Sequence, residues 1–271
     1  MTSPDRTRLG RIFTGHDERS RQYGVRPLLL PAPRMSTFWP LPDGPYPLDQ
    51  GAEGACTGYG IAHELAAGPV IVPGVDNAYA LRRYRRNQEM DRAAGNVFPD
   101  GATVLATMKA AKADGLITAY RWAFGVDDVI DTLCTVGPVC LGIDWYDGMY
   151  ETQSDGLVDV TGEKVGGHFI TLVGYAIHPR VGPCVLWINS WGRGYGVADE
   201  RLDVPGGVGW LTVADLGRLL AADGEAVVPA DYFPGPVSPP PPPLPPAPAK
   251  RWPWMPEWLR QWLAAWWPVT S

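Results

Sequence analysis

Apolar and polar positions change rhythm along this chain. Over 56–65 the residues Tyr59, Ile61, Ala62 and Leu65 recur at helical spacing after a turn-rich approach, Asp49-Gln50-Gly51-Ala52-Glu53-Gly54-Ala55. That pattern predicts a helix with Cys56 at its N-terminus. Leu81, Tyr84 and Gln88 share a face of a helix predicted over 77–91, and Val104, Met108 and Ala111 share one over 101–114, with Gly115 capping its end. After Pro138 the rhythm becomes that of strands: 139–143, 169–175, 185–189 and 210–213 are short apolar runs separated by Gly, Pro and Asp. A helical half followed by a β-rich half predicts an α+β protein of two lobes, and a cleft between such lobes commonly holds an active site.

The two ends break this pattern. Residues 1–35 are polar, arginine-rich and interrupted by Gly and Pro, which reads as an extended arm lying over the domain formed by 36–233. Pro239 to Pro243, with Pro245, Pro246 and Pro248, make 234–250 a stiff linker. Residues 251–271 hold six of the twelve tryptophans. Trp254, Trp258, Trp262 and Trp266 recur every fourth residue beside Leu259, Leu263 and Trp267; Pro256 fits a first helical turn and Pro268 would stop the helix. Such a helix of roughly 12 residues is about 18 Å long, too short to cross a bilayer. Two roles fit it: folding back to complete the surface of the domain, or seating its tryptophans in a membrane interface or a groove of a partner protein. Arg251 and Arg260 are opposed by Glu257, so any such attachment is expected to be hydrophobic.

Charge and cysteine usage narrow the function classes. The formal net charge of -6 and pI near 5.2 give no general reason to expect a nucleic-acid partner. The run Arg82, Arg83, Arg85 and Arg86 reads as the solvated face of the second helix. Four cysteines, Cys56, Cys134, Cys140 and Cys184, include no CxxC pair and no cluster at zinc-ligand spacing, so no cofactor or metal is expected. With no apolar run suited to a secretory signal, the expected location is a reducing cytoplasm, the host's or a virion-associated one if phage-encoded. Heavy use of Ala, Gly, Pro, Arg and Trp is a weak hint of a GC-rich bacterial or phage source.

A thiol becomes a useful nucleophile when its pKa falls, and a helix N-terminus and an imidazolium partner both lower it. Cys56 has the first by position. Of His16, His63, His168 and His178, His63 lies two helical turns past Cys56, roughly 10 Å along the axis, too far for a hydrogen bond. His16 sits in the arm and His178 in a Pro-flanked loop. His168 opens a predicted strand after Gly166-Gly167, where missing side chains let a substrate or another backbone approach. The next strand ends in Asn189, whose side-chain oxygen could accept from one ring nitrogen while the other faces the thiol.

These residues resemble the papain-like cysteine peptidases. The segment from Asp49 to Cys56 is similar to that family's D-Q-G-x-x-G-S-C, Gly137-Pro138-Val139 with Ile143-Asp144 to its G-P-V-x-x-x-I-D, and 167–175 to its H-A-v-x-x-V-G-Y strand. Asn189-Ser190-Trp191-Gly192 resembles its N-S-W-G, and Gly209-Trp210-Leu211 its later G-Y strand. The resemblance runs from about Trp39 to Val213 and implies a two-lobed fold, a polypeptide substrate and a site of Cys56, His168, Asn189 and Gln50. Gln50 and the Cys56 N–H would hold the oxyanion, Trp191 would shield the Asn189–His168 bond, and Gly167 would line the cleft. Glu53 stands where secreted members have a disulfide cysteine, Thr57 replaces their aromatic after the nucleophile, and an insertion near 198–205 separates Trp191 from Gly209. No prodomain of the usual length precedes Trp39, which implies an enzyme made without a zymogen stage. Two other readings use the same residues: an amidase or endopeptidase acting on cell-wall peptides, targeted by the Trp-rich tail, and a catalytically silent binding or virion-associated protein. If the tail is a targeting element, truncation after Pro236 should leave activity intact while abolishing co-sedimentation with liposomes or a partner. A truncated protein that unfolds or loses activity would place the tail in the fold instead.

Overall fold

The computed structural model describes residues 8–41 and 44–229. The expected linker and the helix bearing Trp254, Trp258, Trp262 and Trp266 lie outside the described residues. In chain order the elements are β1 (Arg11–Ile12), β2 (Thr37–Phe38), α1 (Cys56–Ala67), α2 (Asn77–Ala93), β3 (Ala102–Thr103), α3 (Val104–Ala113), β4 (Tyr120–Ala123), α4 (Val126–Thr135), β5 (Val139–Tyr146), β6 (Lys164–His178), β7 (Gly182–Ile188), β8 (Val197–Asp199), β9 (Val204–Thr212), α5 (Val213–Ala221) and β10 (Glu225–Pro229). One lobe is built from α1, α2 and α3. The other is an antiparallel sheet in the order β4-β10-β5-β6-β7-β9-β8, with β2 added against β6. This is the expected α+β arrangement.

α1 is the central helix, and every one of its residues is buried. A helix enclosed on all sides needs small residues wherever a neighbour's backbone or ring comes close. Gly58 gives that room to α2, since a Cβ there would overlap the Ala80 carbonyl and the Tyr84 backbone. Gly60 gives it to β6, because a Cβ would overlap the Phe169 ring. Thr171 Oγ1 then donates to the Gly60 carbonyl at 2.6 Å, tying helix to strand. His63 adds a third tie. Its Nε2 accepts from the Leu48 N–H at 3.0 Å and so fastens the segment that leads to Gln50.

Three of the other helices, α2, α3 and α5, start at side-chain caps. Asp76 accepts from the Tyr79 N–H at 2.7 Å at the start of α2, Thr103 from Ala106 N–H at 3.0 Å at α3, and Thr212 from Asp215 N–H at 3.0 Å at α5. The helix predicted over 101–114 therefore begins later, at Val104. Ala102 and Thr103 are extended because the buried Asp91 carboxylate takes both the N–H and the hydroxyl of Thr103, at 2.8 and 2.9 Å.

Several other expectations shift. β6 starts at Lys164, so His168 lies inside a 15-residue strand instead of opening it, and His178 ends that strand, buried against Trp210, instead of lying in a loop. β4, α4, α5 and β10 are additional to the predicted elements; β10 is held as an inner strand between β4 and β5. The arginine run on α2 is only partly a solvated face. Arg83 is buried and pairs with Asp114 at 2.5 Å, Arg86 pairs with the same carboxylate at 3.0 Å, and Arg85 reaches Glu53 at 2.8 Å. The arm is bound along its length: Gly24 bridges to Trp122, and Arg26 and Arg34 both pair with Asp131 at 2.7 Å.

Because Gly60 must admit Phe169, Gly60→Ala is expected to destabilise the protein by about 1–3 kcal/mol, as overpacking does in a filled core. A lowered urea midpoint at unchanged slope checks this. An unchanged midpoint would mean that the helix and β6 can separate freely.

Candidate active site

Cys56 is the first residue of α1, and the four leading N–H groups of a helix have no partner within it. Its main-chain N–H is thus a ready donor beside its own thiol. His168 and Phe169 follow one another on β6; burial raises the pKa of the Cys56 thiol, and main-chain groups of Gly10, Phe169 and Thr57 oppose that rise. Cys56 and Phe169 lie in one buried cluster. His168 Nε2 lies 2.8 Å from Asn189 Oδ1, an oxygen that also accepts from the Ser190 N–H at 2.7 Å. With Asn189 oriented as an acceptor, Nε2 carries the proton. Nδ1 has no hydrogen-bond partner among the described residues, so it is the nitrogen free to accept one.

Aromatic rings enclose this pair. Trp191 lies 4.8 Å from the His168 ring at a 38° tilt, and Trp145 meets it edge-on at 4.7 Å. Both keep water from the His168–Asn189 bond. Gln50 is tied across the lobes: its N–H donates to the Ser190 carbonyl at 2.9 Å and its Oε1 accepts from Ser190 Oγ at 2.6 Å. That fixes the amide so that Nε2 donates away from Ser190, to the carbonyls of Glu53 at 2.6 Å and Arg8 at 2.9 Å. His168, Asn189 and Trp191 are thus brought together, and Gln50 is joined to them through Ser190.

Residues that the sequence did not single out are there too. The arm crosses the cleft: Arg8 stacks its guanidinium 5.6 Å from the Trp191 ring centre and donates to the Gly51 carbonyl at 2.6 Å. Gly10 follows against Gly54, whose carbonyl a Cβ would overlap, so only glycine fits. Arg11 and Ile12 pair in parallel with Ala102 and Thr103. The only sequence signal was the glycine between two arginines in a polar arm.

Burial under the arm decides the charge state. It pushes the Cys56 thiol up to about 12, against opposing main-chain hydrogen bonds, and holds the His168 imidazole down at about 4. The expected thiolate–imidazolium pair is therefore not favoured in the covered state; thiol and imidazole are both neutral, because a closed cleft penalises both charges. His63, equally buried, is held at about 3.

No family model matches the chain, and no curated protein matches it. Solved structures do. Xylellain, a cysteine protease from Xylella fastidiosa, is 17% identical over 84% of this chain and 96% of its own, with a TM-score of 0.57. Digestive procathepsin L 3 of Tenebrio molitor larval midgut is 16% identical over 83% and 76%, with a TM-score of 0.52. The Amb a 11 cysteine protease of ragweed pollen, in its proform, is 17% identical over 77% and 69%, with a TM-score of 0.51.

The two neutral histidines have a consequence for pH. Both bind protons less readily folded than at their ordinary value of 6.5, so the stability that each neutral ring contributes is present above that value and is lost as pH falls towards 4 for His168 and 3 for His63. Tm is expected to fall steadily between pH 6.5 and 4, and His63→Gln, which keeps an acceptor for Leu48, should flatten that fall. Equal slopes in the two proteins would remove His63 from the explanation. In backbone and in the arrangement of its lobes, the chain has the papain-like cysteine protease fold.

Proposed function

We propose that this protein is a cysteine peptidase that hydrolyses peptide bonds of polypeptides. The observation that carries the reading is the orientation of His168: Nε2 is held by Asn189 while Nδ1 is unpartnered, on the strand whose next residue, Phe169, shares a buried cluster with Cys56. In the reaction the thiol gives its proton to Nδ1 and sulfur attacks the substrate carbonyl carbon. The oxygen that becomes negative is held by Gln50 Nε2 and the Cys56 N–H. What supports Gln50 in this role is that its Nε2 already donates to a carbonyl, that of Arg8.

His168 then passes its proton to the leaving amine as the C–N bond breaks. Water, deprotonated by the same nitrogen, attacks the thioester and releases the acid, restoring thiol and imidazole. Asn189 keeps the ring in the tautomer this needs, and Trp145 and Trp191 raise the strength of that bond by excluding water.

Cys56→Ala is expected to remove hydrolysis of a fluorogenic peptide library to below a few per cent of the parent, with an unchanged melting curve. Gln50→Ala should lower turnover by on the order of 10² to 10³, and Asn189→Ala by less than Cys56→Ala. A folded Cys56→Ala protein that still cleaves peptides would exclude this nucleophile. A parent protein that neither cleaves nor takes an epoxysuccinyl label at Cys56, even with the arm displaced, would make the fold a silent scaffold.

A further inference from the structure

Two donors that share one developing charge help only if they are fixed against each other. In the proposed reaction one donor, the Cys56 N–H, belongs to α1, and the other, Gln50 Nε2, belongs to the segment before that helix. Ser190 holds the Gln50 amide, but it follows β7, on the other lobe. A tie is needed from α1 itself to the chain that carries Gln50.

His63 supplies it. From Cys56 to His63 is seven residues, nearly two full turns, so both side chains leave α1 on the same face, about 10 Å apart along the axis. His63 is completely buried, and its Nε2 accepts from the Leu48 N–H at 3.0 Å. Two extended residues advance about 7 Å, so a hold on Leu48 is also a hold on Gln50. The β-rich lobe grips the same segment from the other side: the Leu48 carbonyl accepts from the Gly192 N–H at 3.1 Å, Asp49 bridges to Trp191, and the Gln50 N–H donates to the Ser190 carbonyl at 2.9 Å. Segment 48–50 is thus a seam between the lobes. On the helical side Asn77 Oδ1 takes the Asp49 N–H at 2.9 Å from the exposed start of α2, and His63 is the buried tie.

Carbonyls in the body of a helix are taken by the helix itself, so a side chain must supply the acceptor that the buried Leu48 N–H needs. An apolar residue, such as Ile61 or Leu65 of the same helix, would fill the space and leave that donor orphaned. Tyr46 meets the imidazole edge-on, ring centres 6.0 Å apart, and is itself anchored by its hydroxyl to the Val75 carbonyl at 3.3 Å. The ring therefore keeps one orientation. Burial holds its pKa down at about 3, so the acceptor is present at neutral pH. Nδ1 is buried with no partner among the described residues, a cost the fold carries while keeping the acceptor on Nε2.

Resting on the peptidase reading, we infer that His63 is a positioning residue of the oxyanion hole: through the Leu48 N–H it fixes the segment that carries Gln50 against the helix that carries Cys56. It touches neither substrate nor the reacting atoms. Its effect on turnover passes through Gln50.

The test uses the full chain with His63→Ala, which removes the acceptor, with His63→Gln, which keeps one, and with His63→Ala again in the Gln50→Ala background. The first readout, amide hydrogen exchange at 48–50, does not need peptidase activity. His63→Ala should speed exchange there at least about ten-fold, while His63→Gln stays within about three-fold of the parent. The second readout is steady-state cleavage of a fluorogenic peptide. His63→Ala should lower kcat about ten-fold, a part of the loss expected on removing the Gln50 donor itself, with KM within about two-fold, and His63→Gln should recover most of it. In the Gln50→Ala background the same substitution should cost less than about two-fold, because the donor it positions is gone. Equal losses of kcat in the two backgrounds would make His63 a general stabiliser and overturn the inference, as would unchanged exchange in the His63→Ala protein. If exchange responds as stated but no variant, the parent included, cleaves a peptide, the tie to segment 48–50 stands and the peptidase reading fails. Should His63→Ala not fold, His63→Leu, which fills the space without an acceptor, takes its place; if neither folds, His63 belongs to the core and the inference is overturned.

Discussion

The site depends on one packing contact, that of α1 on β6. Phe169 fits against Gly60, and Thr171 bonds to the Gly60 carbonyl 111 residues away in the chain. Sliding the helix by one turn would carry the Cys56 thiol about 5 Å from the strand that presents His168. The same contact forces α1 to be buried on every side, and hence to be rich in glycine and alanine. Close-packed interiors do not deform continuously, so this contact fixes the placement of Cys56 relative to His168.

Around that contact the polar groups are ordered by satisfaction. Ser190 is the hub: its N–H fills one side of Asn189 Oδ1, its hydroxyl fixes the Gln50 amide, and its carbonyl takes the Gln50 N–H. One residue thereby orients both the group that positions the base and the group proposed to hold the oxyanion. His63 plays the matching part on the helical lobe, as a buried neutral acceptor for Leu48. Neutrality is essential there, since a protonated ring could not accept that bond.

The arm bears on the chemistry of these groups by burying them. Burial outweighs the main-chain groups of Gly10, Phe169 and Thr57 that oppose it and favours the protonated form of the Cys56 thiol. Open water would reverse the balance by solvating both charges of a thiolate–imidazolium pair. Closure of the cleft and suppression of reactivity are thus the same physical event. Arg11, matched to two carboxylates and a carbonyl, anchors the segment that produces it.

Much of this was legible along the chain. The turn before Cys56, the helical spacing after it, the glycines before His168 and the run Asn189-Ser190-Trp191-Gly192 are local signals, because caps, turns and periodicity depend on neighbours within a few residues. They located the two lobes and the residues of the candidate triad. They could not locate β10, whose place between β4 and β5 is chosen by partners far away in sequence, nor make a strand of Ala102–Thr103, which extends because Asp91 and the arm take its polar groups. Nor could they tell that Arg11, in a polar arm, is buried. A guanidinium reads as solvated unless its counter-charges are known, and Glu225 and Asp144 reach it only through the tertiary fold. The sequence by itself determined which chemistry the chain can hold; tertiary structure decided that the chain covers it, because burial of charge is a property of neighbours in space.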